Sequence, residues 1–260
     1  MTQEMLGKTI LVTGSGKGLG SAIAIEAGRR GANVVVHYRS SQASAEDVFK
    51  KVQETGCNCI LVKADIESAA GVEHLCSEAE KAFGHIDILV NNAALQFNIS
   101  FDKYTPDKVR KIFDVNLGGY LRMIQRLLPN MRKNGWGRIV NISSIHAKRP
   151  TQFDPCYGMT KGAIKMMTRE VALEVAADEN ITANVVELGY VEIGTKSGNP
   201  PSAVDMSFMD YPKMFDMKEI LPNRLITPED VAPTVLFLAS DMAKMINGSS
   251  IRVDDTGILL

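Results

Sequence analysis

Seven β-rich runs recur along the chain, separated by stretches with helical spacing: Thr9 to Thr13, Asn33 to Tyr38, Cys59 to Lys63, Asp87 to Asn91, Arg138 to Ile142, Thr182 to Leu188 and Ser250 to Val253. Runs this apolar bury both faces, and a helix between successive strands is the crossover that parallel pairing needs. The pattern predicts an α/β fold, a doubly wound parallel seven-stranded sheet with helices on both faces. Ligands of such sheets bind beyond the carboxyl ends of the strands, so Gly14, Asp65, Asn91, Ser144 and Gly189, each just past a strand, are expected on one rim. No repeat, low-complexity tract or linker interrupts the alternation before about Gly189. At 260 residues one large core suffices, and a single domain over residues 1–260 is expected, with an insertion at about 190–222.

Two local patterns place chemistry on that rim. Gly14-Ser15-Gly16-Lys17-Gly18-Leu19-Gly20 runs from the first strand into a helical pattern. Glycines there let backbone approach a pyrophosphate, and the helix start offers free N–H groups and a positive dipole end. Tyr157 and Lys161 stand four residues apart, on one face of a helix, with Ser144 thirteen residues upstream of the tyrosine. An ammonium beside a phenol favours the phenolate and lowers its pKa from about 10, while the neutral phenol can give a proton to a carbonyl oxygen. On spacing alone the pair is equally a solvated surface contact.

Charge and composition exclude several partner classes. Lys and Arg total 29 against 30 Asp and Glu, so no global field favours nucleic acid or an anionic membrane. The first residues lack a basic region followed by an apolar run, and no apolar stretch approaches the roughly 18 residues of a membrane helix. A soluble cytoplasmic protein is expected. Cys57, Cys59, Cys76 and Cys156 show no paired Cys-x-x-Cys spacing; reduced thiols and no metal site are expected, with Cys57 and Cys59 as small hydrophobes entering a strand.

Together Gly14-x-x-x-Gly18-x-Gly20, Asn91-Asn92-Ala93-Ala94, Asn116, Ser144 and Tyr157-x-x-x-Lys161 resemble the short-chain dehydrogenase/reductase family over nearly the whole chain. The resemblance implies a Rossmann-like domain that binds NAD(P) and interconverts a carbonyl and a secondary alcohol by hydride transfer. It assigns the catalytic parts to Asn116, Ser144, Tyr157 and Lys161, with Ser143 as the alternative serine. It further implies cofactor contacts from Gly14, Ser15, Lys17, Gly18, Leu19 and Gly20 at the pyrophosphate, Asp65 and Ile66 at the adenine, and Asn92 and Ala93 on the floor. Tyr157, Lys161, Gly189 and Val191 would border the nicotinamide and its ribose. The bland alternatives are an N-cap for Asp65 and a polar group bonded to its own helix for Asn116.

Departures from the family's pattern are Ala94 for a glycine, Leu188 before Gly189 for a proline, Ile193 for a threonine with Thr195 nearby, and Val253-Asp-Asp-Thr-Gly257 at the C-terminus. Behind the second strand stands Tyr38 where NAD-preferring sites place a carboxylate. Arg39 follows and Lys17 is close in the glycine turn, so NADP(H) is expected over NAD(H). The insertion carries Met206, Phe208, Met209, Tyr211, Met214, Phe215 and Met217, which resembles a substrate lid and suits a small, partly apolar substrate. Segments Thr105 to Met131 and Tyr157 to Val175 resemble the family's dimer and tetramer helices. Two rivals are an acyl-carrier-protein-linked 3-oxoacyl reductase, disfavoured by Gly135 and Asp178 at positions where such relatives present arginines, and a non-catalytic dinucleotide sensor, disfavoured by the intact Ser144, Tyr157, Lys161 and Asn116.

Overall fold

The computed structural model describes residues 4–150, 154–178, 180–192 and 226–254. Seven strands form one sheet: β1 (Thr9–Val12), β2 (Asn33–Tyr38), β3 (Cys59–Lys63), β4 (Ile88–Asn91), β5 (Gly137–Ser144), β6 (Ile181–Leu188) and β7 (Ser250–Val253). Every pair is parallel, in the order β3-β2-β1-β4-β5-β6-β7. The order reverses between β1 and β4, which opens the crevice where ligands of doubly wound sheets bind. The long helices are α1 (Gly18–Arg29), α2 (Gln42–Gln53), α3 (Ala69–Phe83), α4 (Pro106–Phe113), α5 (Gly119–Asn134), α6 (Pro155–Glu174) and α7 (Pro228–Leu238).

Strand alternation sorts the core into two layers. Ile10, Val12, Val34, Val36, Ile88, Val90, Val140 and Ile142 pack with α1, α2 and α7 on one face. Leu11, Val35, Leu89, Ile139 and Ala183 pack with α3, α5 and α6 on the other. At the amino ends of the strands Trp136 lies beneath two cations, with Lys8 Nζ 3.8 Å and Arg138 Cζ 4.3 Å from its ring centroid. Its Nε1 donates to Asp241.

Three expectations need adjustment. β5 does not stop at Ile142, because Ser143 and Ser144 continue its pairing with Glu187 and Leu188 of β6; Ser144 is the last residue of the strand. The continuous pattern from Thr105 to Met131 breaks into α4, a π-turn at Asp114–Gly118 and α5. β3 starts at Cys59, leaving Cys57 before the strand with its thiol against Val52 O. Both thiols are half-buried at the sheet's edge, where burial pushes Cys59 up to about 11. The insertion from Ile193 to residue 222, Thr195 included, and the end of the chain from Asp255 lie outside the described residues. Among the described residues no helix is long and apolar enough to cross a membrane.

Candidate active site

The glycine turn is braced from beneath by polar groups of neighbouring strands. Gly14 N donates to His37 Nδ1 at 2.9 Å, and His37 Nε2 lies 3.1 Å from Ala64 O. A donor at Nδ1 and an acceptor at Nε2 select the neutral tautomer with its proton on Nε2. Ser15 Oγ accepts from His37 N at 2.9 Å and donates to Val12 O at 2.7 Å. From the β4 side, Thr13 Oγ1 accepts from Asn92 N and Ala93 N, at 2.9 and 3.0 Å, while Asn92 Nδ2 donates to Thr13 O at 2.9 Å. A Cβ on Gly20 would stand 2.6 Å from Asn92 Nδ2 and 2.7 Å from Gly14 O, so this close approach excludes every side chain.

The helix that follows suits an anion. Lys17 precedes α1 without a side-chain cap, and no acid stands in the first turn. By contrast α3, α4, α6 and α7 start on the capping oxygens of Ser68, Thr105, Asp154 and Thr227. The first N–H groups of α1, with Gly18 and Leu19, are thus left for an external acceptor, as a pyrophosphate requires. Lys17 and Arg39 are exposed beside this turn, and among the described residues neither is held in an ion pair. Asp65 is not the N-cap of α3, which is Ser68; its Oδ1 accepts from Glu67 N at 3.0 Å. Ile66 is buried, and a Cβ on Gly119 would meet its Cδ1 at 2.8 Å.

Across the crevice, β5 and α6 bring the remaining candidates together. The Ser144 hydroxyl donates to Leu188 O at 3.5 Å and accepts from His146 N at 3.2 Å, and it lies near enough to the Tyr157 phenol to lower its pKa. Ser143 points the other way, donating to Lys161 O at 2.9 Å. Lys161 is buried, and its Nζ donates to Ile142 O at 2.8 Å, 5.3 Å from the Tyr157 ring centroid. Asn116 sits in the π-turn with tertiary partners rather than its own helix. Its Oδ1 accepts from Leu95 N at 2.7 Å, and its Nδ2 donates to Leu95 O at 2.9 Å and Thr160 Oγ1 at 3.1 Å. Gly189 follows β6, its N donating to Val253 O, and Val191 forms a bridge with Ile226.

A family model described as Enoyl-(Acyl carrier protein) reductase matches residues 14–257. 3beta-hydroxysteroid dehydrogenase 1 of Eggerthella lenta is 32% identical over 98% of this chain and 95% of its own. Glucose 1-dehydrogenase 2 of Bacillus subtilis is 32% identical over 98% and 96%, and a short-chain type dehydrogenase/reductase of Picea abies is 34% identical over 95% and 91%. The chain belongs to the short-chain dehydrogenase/reductase family. As a short-chain dehydrogenase/reductase it is a nicotinamide-dinucleotide-dependent oxidoreductase acting on alcohol or carbonyl groups.

Electrostatics at the crevice differ from the expectation of a phenol acidified by its lysine. Burial pushes Tyr157 up to about 12, against the lowering effect of the nearby Ser144 hydroxyl, and the Asp154 carboxylate adds to the rise. Burial also draws Lys161 down to about 7, so this ammonium is partly discharged near neutrality and offers the phenol little. In this short-chain dehydrogenase/reductase, Tyr157 therefore stands as a neutral proton donor.

His37, Thr13 and Asp154 escaped sequence reasoning. His37 carries a signal, a polar residue inside the buried run Asn33-Val-Val-Val-His-Tyr38, where an unsatisfied imidazole would be costly. Burial lowers its pKa from 6.5 to about 4. Above pH 6.5 the ring is neutral folded or unfolded; below it the unfolded chain binds a proton that the native state refuses until about pH 4, so stability falls with acidification across that window. In His37→Gln the amide can accept from Gly14 and donate to Ala64 without titrating. Urea unfolding at pH 7 and pH 5 should show the parent losing about 2 kcal/mol more than the variant; equal losses would remove His37 as the cause.

Proposed function

We propose that the chain is an NADP(H)-dependent reductase and dehydrogenase that interconverts a carbonyl and a secondary alcohol on a small, partly apolar substrate. The observation that carries the reading is the convergence of the Ser144 hydroxyl, the Tyr157 phenol and buried Lys161, 5.3 Å from the phenol ring centroid, at the crevice that the glycine turn borders. A nicotinamide dinucleotide, when bound, supplies or accepts the hydride. Ser144 donates a hydrogen bond to the substrate oxygen, and Tyr157 gives it a proton in reduction or takes one back in oxidation. With a dinucleotide bound, Lys161 would turn from Ile142 O toward the ribose, and Asn116 with Leu95 O would start a relay that returns protons from water.

Gly14 to Gly20 and the start of α1 would hold the pyrophosphate, Asp65 and Ile66 the adenine, Asn92 and Ala93 the floor, and Gly189 and Val191 the nicotinamide side. Names of relatives span a steroid and a sugar, so the substrate's apolar character rests on the methionine-rich insertion. An acyl-carrier-protein partner is disfavoured, since Gly135 is a left-handed helix cap and Asp178 is bound by Arg132. Four free thiols suit the reducing cytoplasm.

Tyr157→Phe keeps the ring and loses the proton. Carbonyl reduction should fall roughly a hundredfold or more with cofactor affinity retained, measured by NADPH oxidation and by fluorescence titration. Ser144→Ala should also fall strongly. Ser143→Ala should be milder, because it loses the bond to Lys161 O; the reverse order would transfer the role to Ser143.

The preference for NADP(H) follows from exposed Arg39 and Lys17 and from Tyr38 in the carboxylate position. Dissociation constants measured at moderate ionic strength should be lower for NADPH than for NADH. Tyr38→Asp with Arg39→Ala should shift the ratio toward NADH by about tenfold or more.

A homo-oligomer, tetramer or dimer, is supported by exposed apolar residues on the expected helices: Leu121 on α5 and Met159, Met166 and Leu173 on α6. Light scattering at micromolar concentration should give a multiple of 28.4 kDa; a monomer mass would exclude it.

A further inference from the structure

Asp154 is fully buried, yet among the described residues donors rather than a cation meet its carboxylate. Oδ1 accepts from Tyr157 N at 3.1 Å, as the N-cap of α6, and from the Tyr104 hydroxyl. Oδ2 accepts from Phe97 N at 2.7 Å and Asn98 N at 3.2 Å. Phe97 and Asn98 belong to the loop after β4, which continues from the Asn92-Ala93 floor; Asn98 takes a left-handed φ of 53°. The Phe97 ring stands edge-on to Tyr104 with centroids 6.1 Å apart. Asn116 grips the same loop at Leu95. One carboxylate therefore joins the wall of the crevice to the helix that carries Tyr157.

A helix cap alone needs one oxygen, and serine serves it well. The second oxygen, spent on two consecutive N–H groups of a distant loop, has another consequence: it sets the distance between that loop and the phenol. We propose that Asp154 is a positioning residue for the reaction, fixing the loop at residues 95–98 against Tyr157 and holding the phenol in its protonated form. The inference rests on the reading of Tyr157 as the proton donor. Charge agrees with it, since the carboxylate raises the pKa of Tyr157, of Tyr104 and of Cys156. Among the described residues the other groups facing Tyr157 are Lys161 on its own helix, Ser144 on β5 and Tyr120 on α5, while His146 faces Asp154. Replacing Asp154 removes none of the groups that face Tyr157, and it takes from His146 the carboxylate that raises its pKa.

Asp154→Ser separates the two roles, because a serine oxygen can still cap Tyr157 N but is too short to span to the loop. The variant should bind NADPH within about twofold of the parent and lose roughly tenfold or more in kcat/KM for carbonyl reduction. Reduction requires the protonated phenol, so removing the negative charge should move the alkaline fall of its pH profile down by about one unit. A purely structural role would lower the melting temperature and leave that limb in place. Asp154→Asn, equal in size and uncharged, should show the same shift and serves if the serine variant does not fold. Parental kcat/KM together with a parental alkaline limb in either folded variant would overturn the proposal. If Tyr157→Phe is inactive at the same time, the proton-donor reading survives and only the role of Asp154 falls; an active Tyr157→Phe overturns both.

Discussion

All seven strands run in one direction, and this single polarity decides where chemistry can occur. Every strand leaves the sheet at the same rim, so residues from β1, β4, β5 and β6 that are remote in the chain arrive side by side. The final carbonyls and N–H groups of buried strands must still find partners. Here side chains supply many of them: Thr13 ties β1 to the turn after β4, His37 ties β2 to the glycine turn, and Asn116 ties the loop after β4 to α6. These bonds join neighbouring elements of the rim to one another.

Enclosure also decides the protonation states. Lys161 and Tyr157 share a helix face, as four-residue spacing requires, yet desolvation outweighs their mutual attraction. It weakens the ammonium, which turns to Ile142 O, and suppresses the phenolate. A group bound at the crevice would change both the solvation and the partners of this lysine. The cation is thus better placed to respond to a ligand than to hold the phenol ionised beforehand.

Much of this was legible in the sequence because it is local. Strand runs, the glycine turn and the pair Tyr157 and Lys161 are patterns within a few residues, and the helical spacing of the last two follows from the backbone. Asp154 was illegible for the opposite reason: its partners, from Phe97 to Tyr157, are brought together only by folding. The π-turn was hidden because an extra residue per turn leaves the apolar pattern on either side intact, while it changes which way Asn116 points. Shifted pKa values could not be read from spacing, since burial rather than the neighbouring charge sets their sign.

The stacking of Trp136 has a spectroscopic consequence. It is the chain's one tryptophan, and Lys8 and Arg138 hold it at the amino ends of β1 and β5. β5 spans eight residues, so the indole sits roughly 25 Å from the opposite rim. Its emission reports the integrity of the sheet's base. A reduced dinucleotide in the crevice, absorbing where indole emits, would quench it through space while leaving its surroundings untouched. The fluorophore is thus an internal ruler between the two ends of the sheet.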